Sequence, residues 1–239
     1  GCMRKIRKRK TNRNLIYGIV FSAMLFLTIG YSVLTTSLNF NITAHKNMGF
    51  KVGDQVEVLG LSPTFHVVEV GEKYLKLLSD KAEGFSKFSG TPVTRFEDSE
   101  VYSTLNYLTR NWKSNITSAG GTTTYYNVTL ISREELQNLI WLKDPDANLN
   151  RGVNVNLANI GLGWITDYQY SYNHNNSGIV GFFTSTLELT NGAYWLVNFI
   201  VPKGYTSGYF WSVDSGYHYI YGMDIRPYLT IDIESVKKL

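Results

Sequence analysis

The side chains best suited to acid–base or metal chemistry near neutral pH are the histidines. The 239-residue chain has four of them, at His45, His66, His174 and His218, and they are scattered. None belongs to an H-E-x-x-H pair, and the chain has neither a G-x-S-x-G elbow nor a Walker loop. His66 alternates within the apolar run FHVVEV and reads as structural, His174 sits in the polar run NHNN, and His218 lies between two tyrosines. A hydrolase built from these residues would have to bring His174 or His218 beside Asp214 or Asp224. Metal binding needs several convergent ligands, and the spacing supplies no such cluster. Asp144, Asp146 and Asn148 resemble the opening of a calcium loop, but Leu149 and Val155 stand where such a loop requires Gly and Glu. That segment reads as a helix-terminating turn. The residue types therefore predict no catalytic residue, no metal and no cofactor.

Aromatic contact surface is the more distinctive chemistry. Tyr205, Tyr209, Phe210, Trp211, Tyr217, Tyr219 and Tyr221 crowd the region before the last strand. With a strand period of two, Tyr217, Tyr219 and Tyr221 share one face, with His218 and Ile220 on the other. Such a row supplies rigid area plus hydroxyls, suited to stacking on sugar rings or to a protein contact. It also suits a half-buried sheet face, where tyrosine is a good strand former. The candidate ligand-binding residues are Tyr209, Trp211, Tyr217, Tyr219 and Tyr221. Tyr168, Tyr170 and Tyr172 form a weaker cluster of the same kind.

The N-terminal region decides where these groups would work. Seven cations between Arg4 and Arg13 precede the uncharged run Leu15–Leu34, and no acidic residue occurs before Asp54. About 20 apolar residues match the ~30 Å hydrocarbon core of a bilayer. Tyr17 and Tyr31 lie near the run's ends, and the basic flank is expected to stay cytoplasmic. A cleaved signal would have a shorter apolar core and a small-residue cleavage site, and nothing of that kind follows Leu34 clearly. The sequence thus predicts a basic cytoplasmic segment at 1–13, a transmembrane helix or uncleaved anchor at 14–34, a stalk at 35–49 and an extracellular domain at 50–239.

Composition looks different once this end is set apart. The formal charge of +4 comprises 23 Lys+Arg against 19 Asp+Glu; without the seven N-terminal cations the remainder holds 16 against 19, or −3. That balance offers no basic groove for nucleic acid. The single cysteine, Cys2, lies before the apolar run, so the exterior part has neither disulfides nor thiol chemistry.

The elements that must position the tyrosines follow from periodicity. Val52–Leu59 and the runs HVVEV and YLKLL, joined by Gly71-Glu72-Lys73, read as strands. Val101, Leu105, Leu108 and Trp112 make one apolar stripe, predicting a helix over Ser99–Lys113. A second helix starts at Ser132 with Glu135 three residues on, a capping box, and stops before Pro145. Beyond Asn148 the chain reads as many brief strands with Gly-rich turns, closing on Ile225–Ile233. Strands, then two helices, then short strands predict an α+β domain.

In their order, the segments KVGDQVEV, FHVVEV, YLKLLSD, STLNYLTRNW, VTLISREEL, AYWLVN, VDSG and IRPYLTI resemble a family of Gram-positive bacterial surface domains of unassigned function. The likeness spans Phe50 to Ile231. That family is similar in its C-terminal half to the C-type-lectin-like fold shared with formylglycine-generating enzymes. The resemblance implies that Trp195 is core and that Arg226-Pro227 anchors the last strand. It also implies no enzyme, because the copper-binding cysteine pair is missing, and no calcium lectin, because E-P-N and W-N-D type motifs are missing. Asn198 departs from the serine that relatives often carry. The expected protein is a single-pass surface protein displaying a non-enzymatic recognition domain for an external protein or glycan. A self-associating envelope or filament component is the alternative, and a cryptic hydrolase comes third.

Overall fold

A computed structural model describes residues 49–87, 93–150, 153–166, 179–190, 193–202, 207–212 and 223–239. The basic segment, the apolar run and the stalk as far as residue 48 lie outside the described residues, within which no helix is long and apolar enough to cross a membrane. Gly49–Leu239 form one compact unit. It is α+β and consists mostly of strands.

Two six-stranded sheets carry the unit. The first contains β1 (Gln55–Val58), β2 (Thr64–Val70), β3 (Tyr74–Ser79), β5 (Asn127–Leu130), β11 (Pro227–Asp232) and β12 (Val236–Lys238). Its order is β12-β1-β2-β3-β11-β5, with every neighbour antiparallel. The second contains β4 (Gly84–Ser86), β6 (Asn154–Asn156), β7 (Ile179–Thr190), β8 (Ala193–Pro202), β9 (Ser207–Ser212) and β10 (Met223–Ile225). Its order is β4-β10-β7-β8-β9-β6, with β10 and β7 parallel.

Alternation in the sequence explains the first sheet. Val56, Val58, Phe65, Val67, Leu75, Leu77, Leu229, Ile231 and Val236 form one buried layer with Trp112 and Ile116. Leu78 and Tyr228, a cross-strand pair, face the other way into a second core with Leu136, Leu139, Ile140 and Phe182. A third core joins Val101, Leu105, Leu130, Phe183 and Ile225.

Three helices, not two, occur among the described residues. The helix expected over Ser99–Lys113 is broken into α1 (Glu100–Thr109), capped by the Ser99 hydroxyl, and α2 (Trp112–Ser118). The continuous stripe concealed the break because its members serve different cores. Val101 and Leu105 pack in the third core, whereas Trp112 and Ile116 cover the first sheet. The chain turns at Arg110-Asn111 to reach both. Helix α3 (Arg133–Trp141) carries the expected capping box, with Ser132 and Glu135 bonding reciprocally.

Two further expectations are corrected. The C-terminal half is not uniformly short-stranded, since β7 and β8 form a hairpin with strands of 12 and 10 residues. Polar Thr184, Ser185 and Thr186 interrupt its apolar pattern at a register shift. There the Ser185 N–H donates to Ile131 O, and the Thr186 hydroxyl accepts from Arg133 N at the start of α3. The strand predicted over Ile225–Ile233 is β11, but it is not the last: Ile225 ends β10, and β12 follows β11.

Between β10 and β11 the chain passes from one sheet to the other through a single residue, Arg226, flanked by Ile225 and Pro227. Proline tolerates that position because it opens its strand, where a missing N–H is harmless. The ribbon β3–β4 runs antiparallel beside β10–β11, pairing Leu78 with Tyr228 and Gly84 with Ile225. The fully buried Arg226 side chain fills the bend. Its Nε donates to Ser79 O, Nη1 to Ile165 O at 2.8 Å and Nη2 to Trp164 O at 3.2 Å. The guanidinium also lies 5.4 Å from the centre of the Phe182 ring.

Two substitutions test this architecture. Arg226→Met leaves those carbonyls unpartnered and lowers the stability of the chain by about 3 kcal/mol in urea titrations, at roughly 1 kcal/mol or more per lost bond; an unchanged midpoint contradicts the assignment. Gly60 has φ +76, and a Cβ there would sit 2.3 Å from the Asn115 carbonyl oxygen in α2. Gly60→Ala should therefore destabilise by more than the ~1–2 kcal/mol of left-handed strain alone.

Candidate functional site

Among the described residues the structure brings together several groups that the sequence did not single out. Tyr209 and Trp211 lie in β9, where Tyr209 pairs with Asn154 of β6 and Ile200 of β8. Tyr217, Tyr219 and Tyr221 lie outside the described residues, as do Tyr168, Tyr170, Tyr172, His174, Asp214 and His218. No group of His, Cys, Asp and Glu that could hold a metal occurs among the described residues. After α3, Asp144 Oδ1 accepts from Asp146 N and Asn148 Oδ1 accepts from Asn150 N, so the D-x-D-x-N run forms consecutive turns.

His66 is the one histidine among the described residues, and both its ring nitrogens are engaged. Nδ1 lies 3.0 Å from Gly53 O, and Nε2 lies 3.0 Å from Asp80 Oδ1. The second Asp80 oxygen accepts from Gln55 Nε2 and Thr64 Oγ1, each at 2.6 Å. Trp164 stacks on the imidazole, with ring centres 4.5 Å apart and planes 23° from parallel. A general base needs a nitrogen within hydrogen-bond reach of the proton it abstracts. Here the ring instead fastens the turn before β1, the end of β3 and the Gly163–Ile165 turn, whose carbonyls receive Arg226.

Asp224 is fully buried in β10, in register with Phe85 of β4 and Phe182 of β7. Burial pushes its carboxyl up from the ordinary 3.8 to about 7.

An open polar surface lies on the outer face of the first sheet. Register places Tyr74 beside Asp232, Lys76 beside Thr230 and Glu69, and Thr230 beside Asn127. The Leu78–Tyr228 end of this face is roofed by α3 and its core. At the other end Tyr74, Lys76, Glu69 and Thr230 are only half-buried, and Asn127 is exposed. Lys76 Nζ lies 2.8 Å from Glu69 Oε2 and 3.2 Å from Glu135 Oε1, linking the sheet to the start of α3. The Tyr74 hydroxyl donates to Glu69 Oε1 at 2.8 Å. Tyr125 lies 5.7 Å from Tyr74, ring centre to ring centre, with planes tilted by 38°. Its backbone N–H donates to Asp232 Oδ2.

These contacts fix the charges of the patch. Burial opposes ionisation of Glu69, but hydrogen bonds from Lys76 and Tyr74 outweigh it and hold the carboxyl below its usual range. Burial likewise opposes the Lys76 charge, and the two carboxylates reverse that effect, raising its pKa. The Tyr74 hydroxyl is raised by its bond to Glu69 and by that residue's charge. Tyr228, beneath the same network, is raised by burial and by the nearby Glu135 and Glu69 charges. The surface is thus an ordered set of donors and acceptors beside an aromatic pair. The run YLKLL predicts the strand that carries Tyr74 and Lys76, but their meeting with Tyr125 and Glu135 depends on strand order.

Comparison with family models, curated proteins and solved structures found no match.

Asp224 yields a test with a definite sign. A raised carboxyl contributes stability that is complete below its unfolded value of 3.8 and is lost as pH rises through about 7. Thermal unfolding of the chain should therefore show a decline across that window, which Asp224→Asn flattens. Parallel profiles for the two proteins contradict this.

Proposed function

We propose that the chain is a single-pass cell-surface protein, anchored through residues 14–34 with its N-terminus cytoplasmic. On this reading residues 50–239 form an extracellular, non-enzymatic recognition domain for an external protein or glycan. The carrying observation is the segregation of the chain: clustered cations and an uncharged apolar run at one end, followed by a cysteine-free, mildly acidic remainder. Basic flanks orient spans by remaining cytoplasmic, which directs that remainder outward. The finer assignment to a C-type-lectin-like domain of Gram-positive surface proteins rests on the order of the sequence motifs. The engagement of both His66 nitrogens and the ordered open face around Tyr125 also favour recognition over proton transfer.

The alternative, a self-associating envelope or filament component, needs a surface on which copies meet. The edge strands β12, β5, β4 and β6 have only 3 or 4 residues, and β12 presents Lys237 and Lys238. Short edges, one of them lysine-bearing, oppose strand-to-strand assembly, so such contacts would fall to the tyrosine-rich faces.

Glycan-array and pull-down measurements on the purified chain test recognition. The proposed face predicts loss of binding when Trp211→Ala, Tyr217→Ala and Tyr219→Ala are combined. Unchanged binding removes that face, and concentration-dependent light scattering without any captured ligand favours the structural alternative.

A further inference from the structure

We propose that the open end of the first sheet's outer face is a sugar-stacking subsite, with Tyr125 as its platform and Glu69, Lys76 and Glu135 as its polar rim. Its ligand is a neutral pyranose unit of an external oligosaccharide. This deepens the recognition reading and depends on it, but rests on residues other than Tyr209, Trp211, Tyr217, Tyr219 and Tyr221.

Geometry is the first argument. Tyr125 is 40 % exposed, although one side of it meets Tyr74. Tyr74 is fixed from behind: a Cβ on Gly71 would stand 2.5 Å from its ring, and its hydroxyl is bonded to Glu69. The backbone of Tyr125 is held by Asp232, which is 7 % exposed. The platform is therefore seated on the sheet before ligand arrives, which lowers the ordering penalty of binding.

The chemistry of the rim selects the ligand. Two carboxylates flank one ammonium within 3.2 Å. A phosphate or other polyanion would meet net negative charge, and an extended cation would compete with Lys76. Sugar hydroxyls both donate and accept, so they match carboxylate and ammonium together. An aromatic face supplies the apolar contact that a pyranose needs. The patch is also small beside the ~20–30 residues per side of a standard protein interface.

The 239-residue chain, purified in detergent, would be titrated with cellotetraose, maltotetraose and chitotetraose, with binding followed by saturation-transfer NMR and calorimetry. At least one sugar should bind; Tyr125→Ala should weaken it about tenfold or more, equivalent to ~1.4 kcal/mol. Tyr125→Trp should retain binding, and Glu69→Gln should weaken it without altering the far-ultraviolet circular dichroism spectrum. Binding that survives Tyr125→Ala but is lost on substituting Trp211, Tyr217 and Tyr219 overturns this subsite and preserves glycan recognition. Failure of all three sugars also overturns the subsite; the pull-down for a protein ligand then decides the wider reading independently.

Discussion

A buried guanidinium at the crossing between two sheets is the constraint on which this architecture turns. Arg226 stands where β10 gives way to β11, and its donors reach the end of β3 and the carbonyls of Trp164 and Ile165. A buried cation is tolerable only when its donors find acceptors. Backbone carbonyls meet that need here without demanding another charge at the same points. Arginine suits the position because its planar fork addresses several acceptors at once, whereas a lysine ammonium is a single point of charge. The arrangement gives physical content to the expected anchoring role of Arg226-Pro227.

The consequences reach the candidate site through backbone register. With β11 held beside β3, Tyr228 lies next to Leu78 under α3, while Thr230 and Asp232 lie next to Lys76 and Tyr74. One strand thus contributes both to a closed core and to an open polar face. The His66–Asp80–Trp164 contact supports the same corner, since Trp164 both stacks on His66 and offers its carbonyl to Arg226. The electrostatics of the open face follow from its packing. Glu69 and Glu135 lie close enough to Lys76 to raise its pKa, and hydrogen bonds from Lys76 and Tyr74 lower that of Glu69, both against the effect of partial burial.

Local pattern carried much of this fold. The alternation of Val56, Val58, Phe65, Val67, Leu75 and Leu77 predicts the first strands, and the Ser132/Glu135 capping box locates α3. The break between α1 and α2 was hidden because helical periodicity records a shared face, not which of two cores that face meets. The long β7–β8 hairpin was hidden by the polar Thr184–Thr186 bulge, which breaks alternation to bond Ile131 and Arg133 at the start of α3. The open face was legible only in part, because Glu69, Lys76, Tyr125 and Glu135 are brought together by strand order and tertiary packing. The tyrosine row at 217–221 is a sequence expectation that lies outside the described residues.

Amide hydrogen exchange tests the central role of Arg226 most directly, because protection reports which segments open together. In the Arg226→Met chain, protection should fall concertedly in β3, the Gly163–Thr166 turn, β7 and β11, while the inner face at β1 and α2 retains more. Loss confined to the residues immediately beside position 226, with both sheets as protected as in the native chain, would contradict the account.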